Sequence, residues 1–162
     1  MKADSARKKP CKHFPVRREL DDGYELDDDV ARVDVDALVR FLTTEAYWGR
    51  WRQRAEIAAQ LSSAWRVVGL YRAGRMVGFA RAVSDGVAFG YLADVYVDPA
   101  HRGRGLGRAV VREIVEGNGA DAFRWMLHTR DAHGLYADLG FAPPGPDAME
   151  RPAPASRRTP PS

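Results

Sequence analysis

The chain has 162 residues, of which 45% are hydrophobic and 29% charged, a composition typical of a globular protein with one hydrophobic core. The net charge of +3 is uneven, because the first 18 residues carry seven Lys and Arg against one acid, which leaves the body slightly acidic. Such a body lacks the basic face that nucleic-acid binding requires, and no apolar run approaches the length of a membrane span. Nucleic-acid binding therefore ranks last among the functions considered, and no membrane partner is expected.

The single cysteine, Cys11, lies in the basic N-terminal segment. One cysteine supports neither a disulfide framework nor a cysteine zinc site, and we expect no metal. The N-terminal segment also lacks the apolar stretch of a signal peptide. These features together predict a reducing, cytoplasmic setting.

The two ends of the chain differ in composition from the middle. Residues 1–20 are polar, basic and interrupted by Pro10 and Pro15, which predicts a disordered arm. Residues 151–162 are rich in proline and predict a disordered tail. The folded domain is therefore expected over residues 21–150.

Hydrophobic periodicity between the ends predicts alternating strands and helices. In chain order these are an edge strand over 24–29, helices over 34–48 and 51–64, a hairpin over 65–83, a strand over 88–99, a helix from 106 to 116, a strand over 122–129 and a short helix ended by Gly140. Asp34 and Asp131 are the predicted N-caps, and Ala73-Gly74 is the predicted hairpin turn. This order predicts an α/β fold with a mixed sheet.

Three alternate glycines and three arginines follow the strand over 88–99, in the stretch HRGRGLGR at 101–108. Glycines let backbone N–H groups point into one concavity, and the positive end of the helix dipole lies behind them. A Walker loop would need a lysine after the glycines, and the dinucleotide fingerprint would need glycine at Arg108. The stretch predicts a diphosphate site, and the alternative is a plain strand–helix turn with solvated arginines.

The pattern Arg-x-x-Gly-x-Gly at 102–107, between a strand ending Val-x-Val-x-Pro and an amphipathic helix, resembles the pyrophosphate loop of the GNAT acetyltransferases. The stretch TRDAHGLYADLGF at 129–141 is similar to a second segment of that family, with Thr129 standing where the family has Asn. The resemblance covers residues 92–141. It implies the GNAT acyl-CoA N-acyltransferase fold, an α+β mixed sheet in the order β-α-α-β-β-β-α-β-α-β, and therefore a further strand after the last helix.

The same resemblance implies acetyl-CoA as the cosubstrate and places it on three adjoining segments. Backbone groups of the strand end pair with pantetheine, and the glycine loop holds the diphosphate. The implied coenzyme-binding residues are Val95, Tyr96, Val97, Arg102, Gly103, Arg104, Gly105, Leu106, Gly107, Arg108 and Thr129.

The resemblance further implies direct acetyl transfer, with no covalent enzyme intermediate. Tyr136 is then the acid that protonates the departing thiolate; the alternative is a tyrosine that packs its ring on the sheet. Asp94 matches an acidic position of spermidine/spermine-type acetyltransferases, where an acid lies near the acceptor amine. A carboxylate in the middle of a strand is costly unless it is paired or faces a cleft, so Asp94 is either the base or a structural acid bonded to backbone or an arginine.

The aromatic stretch after the first helix lies, in the family's fold, over the acceptor pocket. Tyr47 and Trp48 are candidate acceptor-binding residues through cation–π or aromatic packing, and Glu45 is a candidate partner for a cationic acceptor. The alternatives are helix–helix packing for the aromatics and a solvated helix end for the acid. His128 and His133 flank the second motif, and a packed or surface role is expected for both.

The function expected from these residues is acetyl-CoA-dependent N-acetylation of a primary amine on a small molecule. The alternatives are acetylation of a protein or peptide amine and a non-catalytic acyl-CoA-binding module. A homodimer is a common assembly in this superfamily.

Overall fold

The computed structural model describes residues 16–154. The strands are β1 (Arg17–Glu19), β2 (Tyr24–Asp27), β3 (Arg66–Arg72), β4 (Arg75–Ser84), β5 (Phe89–Val97) and β6 (Arg124–Met126). The helices are α1 (Val35–Thr44), α2 (Arg54–Ser62), α3 (Leu106–Glu116) and α4 (His133–Ala137). All six strands form one sheet in sequence order, antiparallel except for the parallel pair β5–β6. The predicted α/β fold with a mixed sheet is confirmed.

The ends of the fold differ from the predicted order. Residues 17–19, which were assigned to the disordered arm, form β1 and pair with β2, so β2 is not the edge strand. Arg17 also binds Glu25 across the two strands, a contact that the basic composition of the segment does not reveal. Residues 1–15 of the predicted arm and 155–162 of the predicted tail lie outside the described residues.

The strand expected after the last helix is absent from the described part of the chain, which has no strand beyond β6. The stretch after α4 contains Pro143, Pro144 and Pro146. Proline has no N–H to donate to a ladder and is confined to strand edges and ends. The family's last strand is therefore the one element of the implied order that this sequence does not form within residues 16–154.

Helices cover both faces of the sheet. The core on one face joins α3 and α4 to the strands through Leu92, Val110, Ile114 and Tyr136. The core on the other face joins α1 and α2 to the strands, and Phe41 of α1 stacks on Tyr96 of β5 with ring centroids 3.9 Å apart. These cores contain the apolar residues whose helical spacing predicts the two helices, namely Leu38, Phe41 and Leu42 of α1 and Leu106, Val110, Ile114 and Val115 of α3.

The residues predicted to cap helices and to form the hairpin turn are confirmed with one exception. The Asp34 carboxylate accepts a hydrogen bond from Ala37 N–H at the start of α1, and Ala73 and Gly74 both have the positive φ of a type I′ hairpin turn. The N-cap predicted at Asp131 is wrong. Ala132 is the N-cap of α4, and its methyl side chain cannot accept a capping hydrogen bond. The Ala132 N–H itself donates to Thr129 Oγ1 at 3.2 Å.

A divergence of two parallel strands opens the sheet. β5 and β6 pair only between Phe89–Tyr91 and Arg124–Met126, so the edge of β5 from residue 92 to 97 has no strand beside it. Within that edge, Phe79 pairs with Tyr96 and Arg81 with Ala93, so two residues of β5 oppose one of β4 in a β-bulge. Asp94 lies in the bulge with φ +55°, a left-handed conformation that aspartate tolerates better than most residues.

Candidate active site

A cleft of about 1600 Å³ fills the opening between β5 and β6. Its walls are the open edge of β5, the glycine loop, the N-terminal turn of α3, the segment from β6 into α4, and the α1–α2 connection. Of the residues expected to bind coenzyme or acceptor or to catalyse, all but Arg104 line this one cleft. The divergence of the strands therefore brings together segments that are far apart in the sequence.

The glycine loop has the conformation that a phosphate cradle needs. Gly103 and Gly105 have φ values of +76° and +74°, and a Cβ added at either would meet no atom within 4 Å. The backbone conformation therefore favours glycine at both positions, since a residue with a Cβ is strained there. Gly107 serves packing instead, because its Cβ would lie 3.1 Å from Leu135 of α4.

The three arginines of the loop are engaged differently. Arg102 donates from Nε to the Val97 carbonyl at 2.8 Å, which ties the loop to the end of β5. Arg108 forms an ion pair with Asp138, the C-cap of α4. Arg104 is exposed and pairs with no carboxylate of residues 16–154, so it keeps its charge for an anionic ligand. Arg102 likewise pairs with no carboxylate of these residues and, unlike Arg104, lines the cleft. Arg102, Arg104 and the amino end of α3 are thus the main positive features of the loop.

The remaining coenzyme candidates lie along one wall of the cleft. The backbone edge of Val95, Tyr96 and Val97 is open on the β6 side, whereas the Tyr96 ring is buried against Phe41. Thr129 also lines the cleft, with its hydroxyl accepting from Ala132 N–H. That hydroxyl keeps its own proton for donation, so it can offer a ligand the donor that an amide would offer.

Tyr136 of α4 lies in this cleft with its ring buried against Phe141. Its hydroxyl makes no hydrogen bond to any residue of the described chain, and burial raises its pKa to about 12. A phenol with that pKa stays protonated at neutral pH. It can donate a proton to an atom with a developing negative charge in the cleft.

Asp94 is held at the bottom of the cleft by two arginines. Its Oδ1 accepts from Arg52 Nη2 at 2.7 Å, and its Oδ2 accepts from Arg52 Nη1 at 3.0 Å and from Arg81 Nε at 2.9 Å. Trp48 Nε1 donates to the same Oδ1 at 3.3 Å. Burial alone would raise the pKa of Asp94, but the Arg52 hydrogen bonds and the charges of both arginines outweigh it and hold the pKa below its usual value. This geometry favours the structural alternative for Asp94, because a carboxylate of low pKa accepts a proton poorly.

The α1–α2 connection roofs the other side of the cleft. Tyr47 Oη accepts from Arg130 N–H at 3.1 Å, and the Arg130 guanidinium lies 4.1 Å above the Tyr47 ring. Trp48 packs edge-on against Tyr47. Glu45 is exposed at the end of α1 and also lines the cleft. The roof therefore spans from the first helical layer to the segment after β6, and Arg130 already covers one face of the Tyr47 ring.

Several residues of this cleft were not singled out from the sequence as parts of the site. Arg52 and Arg81 bind Asp94, and Tyr91 and Glu150 line the cleft beside His128. One signal was available, because Arg81 interrupts an apolar strand just as Asp94 does on the next strand. Opposite charges buried in neighbouring strands are expected to pair.

Within residues 16–154 there is no cluster of three or more His, Cys, Asp and Glu side chains able to hold a metal ion. No helix of that range is long and apolar enough to cross a membrane.

Comparisons with known proteins agree with this geometry. A family model described as the acetyltransferase (GNAT) domain matches residues 63–143, half of the chain. Serotonin N-acetyltransferase 2, a chloroplastic protein of rice, is 44% identical over 80 residues, which are 48% of this chain and 39% of that protein. Glucosamine 6-phosphate N-acetyltransferase 1 of rice is 34% identical over 106 residues, 62% of this chain and 64% of that protein. The chain thus spans less than two thirds of these relatives.

A solved structure from Xanthomonas campestris pv. campestris, described as belonging to the GNAT family, superposes with a TM-score of 0.77. It is 34% identical, and the match covers 84% of this chain and 97% of that one. The family model covers β3 to α4, which form every wall of the cleft except the one from α1, α2 and their connection. The chain belongs to the GNAT acetyltransferase family.

Proposed function

We propose that this chain transfers the acetyl group of acetyl-CoA to a primary amine on a small molecule. The observation that carries the proposal is one cleft with a phosphate cradle at Gly103–Gly105, an open strand edge and a buried, protonated Tyr136. The family uses acetyl-CoA generally. The residues fit that substrate, because left-handed glycines leave room for the diphosphate and Arg102, which lines the cleft, pairs with no carboxylate of residues 16–154.

In this proposal the protein positions two substrates and supplies proton donors. The amine attacks the thioester carbonyl carbon, the N–C bond forms and the C–S bond breaks. The carbonyl oxygen gains charge during attack and needs a donor, which backbone N–H groups of the open β5 edge can supply. The departing thiolate takes the proton of the Tyr136 hydroxyl, which burial keeps protonated.

The roof of the cleft supports a small acceptor over a protein surface. The contact of Tyr47 with Arg130 bridges the α1–α2 connection and the segment after β6. Trp48, next to Tyr47, binds Asp94 in the cleft. A bridged cleft restricts access to slender molecules, whereas a folded protein would need an open groove. The rice relatives are named for a small aryl-alkyl amine and for a sugar phosphate, which supports the same acceptor class.

The experiment is thiol release from acetyl-CoA, measured against polyamines, aryl-alkyl amines, aminoglycosides, amino acids and lysine peptides. Release that depends on one class of small amine is the expected result. Release with lysine peptides alone would replace the proposed acceptor with a protein or peptide amine. Tight acetyl-CoA binding by calorimetry, with no release for any amine, would replace the enzyme with an acyl-CoA-binding module.

A further inference from the structure

Three polar side chains lie in contact along the cleft. Tyr91 Oη lies 2.8 Å from His128 Nδ1, and His128 Nε2 lies 3.5 Å from Glu150 Oε2. The three residues come from β5, from the segment just after β6, and from the stretch following α4. All three line the cleft. None of the three, all within residues 16–154, belongs to the phosphate cradle or forms a hydrogen bond with Tyr136, and the protonation of the thiolate by Tyr136 does not require them.

The partners of His128 determine which way protons can move. A carboxylate facing Nε2 favours the tautomer with the proton on Nε2, which leaves the Nδ1 lone pair to accept the Tyr91 O–H. The order carboxylate, imidazole, hydroxyl is the one in which a hydroxyl passes its proton to an imidazole and a carboxylate stabilises the imidazolium. Tyr91 Oη keeps a lone pair that can receive a proton in turn.

The three side chains run from inside the cleft to solvent. Tyr91 is half-buried, whereas the side chains of His128 and Glu150 are 58% and 63% exposed. Burial raises the pKa of Tyr91. The charges of Asp94 and Glu150 and the nearby Tyr47 raise it further, whereas the charge of Arg81 lowers it. Tyr91 therefore stays protonated at neutral pH and acts as a relay, while the exposed imidazole exchanges protons with water.

The cleft needs a route that carries a proton from the acceptor amine to solvent, because its buried carboxylate, Asp94, is unsuited to accept that proton. Asp94 has both oxygens bound to Arg52 and Arg81, and those bonds hold its pKa low. A primary amine enters largely as an ammonium ion and must lose a proton before it can attack. The residue that accepts this proton must lie in the cleft and reach solvent.

We propose that Tyr91, His128 and Glu150 form the proton path that deprotonates the acceptor amine, with Tyr91 and His128 carrying the proton and Glu150 positioning the imidazole. This inference rests on the proposed acetyltransferase function. The ammonium proton passes to Tyr91 Oη as the Tyr91 proton passes to His128 Nδ1, and the imidazolium releases it to water. The freed nitrogen lone pair attacks the thioester carbon and the C–S bond breaks. The thiolate takes the Tyr136 proton, the second surplus proton on nitrogen leaves by the same path, and water reprotonates Tyr136.

The test compares His128→Ala with a matched control, His133→Ala. His133 is exposed on α4 and does not line the cleft. With the best amine found for the wild type, His128→Ala should lower kcat about 100-fold, the usual scale of general base catalysis, with an unchanged Kd for acetyl-CoA. Added imidazole should restore part of the rate, and the loss should shrink as the pH rises because solution base replaces the imidazole. His133→Ala should keep the wild-type kcat and show no response to imidazole.

A measurement without turnover tests the same path. Nitrogen-15 NMR of the histidine rings in the free protein should show the Nε2–H tautomer of His128, and Glu150→Gln should increase the other tautomer. An Nδ1–H tautomer in the wild type would overturn the path whichever amine is used. Normal kcat in His128→Ala would overturn the path and leave the proposed function standing, whereas a wild type that binds acetyl-CoA but acetylates no amine would overturn the proposed function itself.

Discussion

Replacing Asp94 by Asn separates the two roles that the sequence allows for this residue. The substitution keeps the shape of the side chain and the tolerance for the left-handed φ of +55°. It removes only the negative charge that Arg52 and Arg81 share. If that charge holds the cleft together, the folded state loses stability. If Asp94 is the base, turnover falls while stability is kept.

The size of the effect follows from burial. The side chains of Asp94, Arg52 and Arg81 are only 5%, 8% and 9% exposed. Among the described residues no other carboxylate pairs with either arginine, so Asp94→Asn leaves two buried guanidinium groups without a counter-charge. Removing one partner from a buried ion pair typically costs about 3 to 5 kcal/mol of the free energy of unfolding.

Urea unfolding followed by circular dichroism measures this change, with Asp36→Asn as the control. Asp36 pairs with Arg54 on the surface, where the side chains are 76% and 59% exposed. Loss of such an exposed pair should cost less than about 1 kcal/mol. An Asp94→Asn unfolding free energy as close to wild type as that of the control, together with lost turnover, would refute the structural role and return Asp94 to the position of base.

The pH dependence provides a second check on the same variant. The pKa of Asp94 is lowered in the folded protein, so its stabilising contribution is present above the unfolded value of about 3.9 and is lost as the pH falls through the lower folded value. The stability gap between wild type and Asp94→Asn should therefore be complete above about pH 5 and narrow below about pH 4. A gap that stays constant through this range would contradict the proposed ion pairing.

Three further outcomes are expected. Gly105→Val should raise the calorimetric Kd for acetyl-CoA about tenfold, because the left-handed φ costs a residue with a Cβ about 1 to 2 kcal/mol. The control Gly145→Val should leave the Kd unchanged, since Gly145 is exposed and has no positive φ. Equal Kd values for the two variants would remove the loop from the binding site. Tyr136→Phe should lower kcat about 100-fold at an unchanged Kd for acetyl-CoA. Because burial raises the pKa of Tyr136 to about 12, kcat of the wild type should show no loss from ionisation of this hydroxyl below about pH 10. A variant as fast as the wild type would exclude the acid role. Tyr47→Ala should raise KM for the amine without changing acetyl-CoA binding, because the substitution removes the contact between Tyr47 and Arg130. An unchanged KM would show that the roof of the cleft does not select the acceptor.

Local signals account for much of what could be predicted. The Asp34 cap, the Ala73-Gly74 turn and the apolar stripe of α3 depend on residues within a few positions of one another. The glycine loop is of the same kind, since the left-handed backbone at Gly103 and Gly105 is a property of those residues. The failed N-cap at Asp131 shows the limit, because α4 begins one residue later than the residue type at 131 predicts, with Ala132 as its N-cap.

The sequence by itself determined the order of the elements from β2 to α4, the phosphate loop and the identity of the residues that could carry chemistry. Only the tertiary structure decided which of those residues meet. Arg52 reaches Asp94 across 42 positions, and Tyr91 reaches His128 across 37. Such contacts depend on where β5 bulges and where β6 leaves it, and both are set by the packing of the whole sheet between its helices. A pattern read along the chain carries periodicity and local preference, whereas the pairing of charges across a cleft is fixed only when the strands are in register.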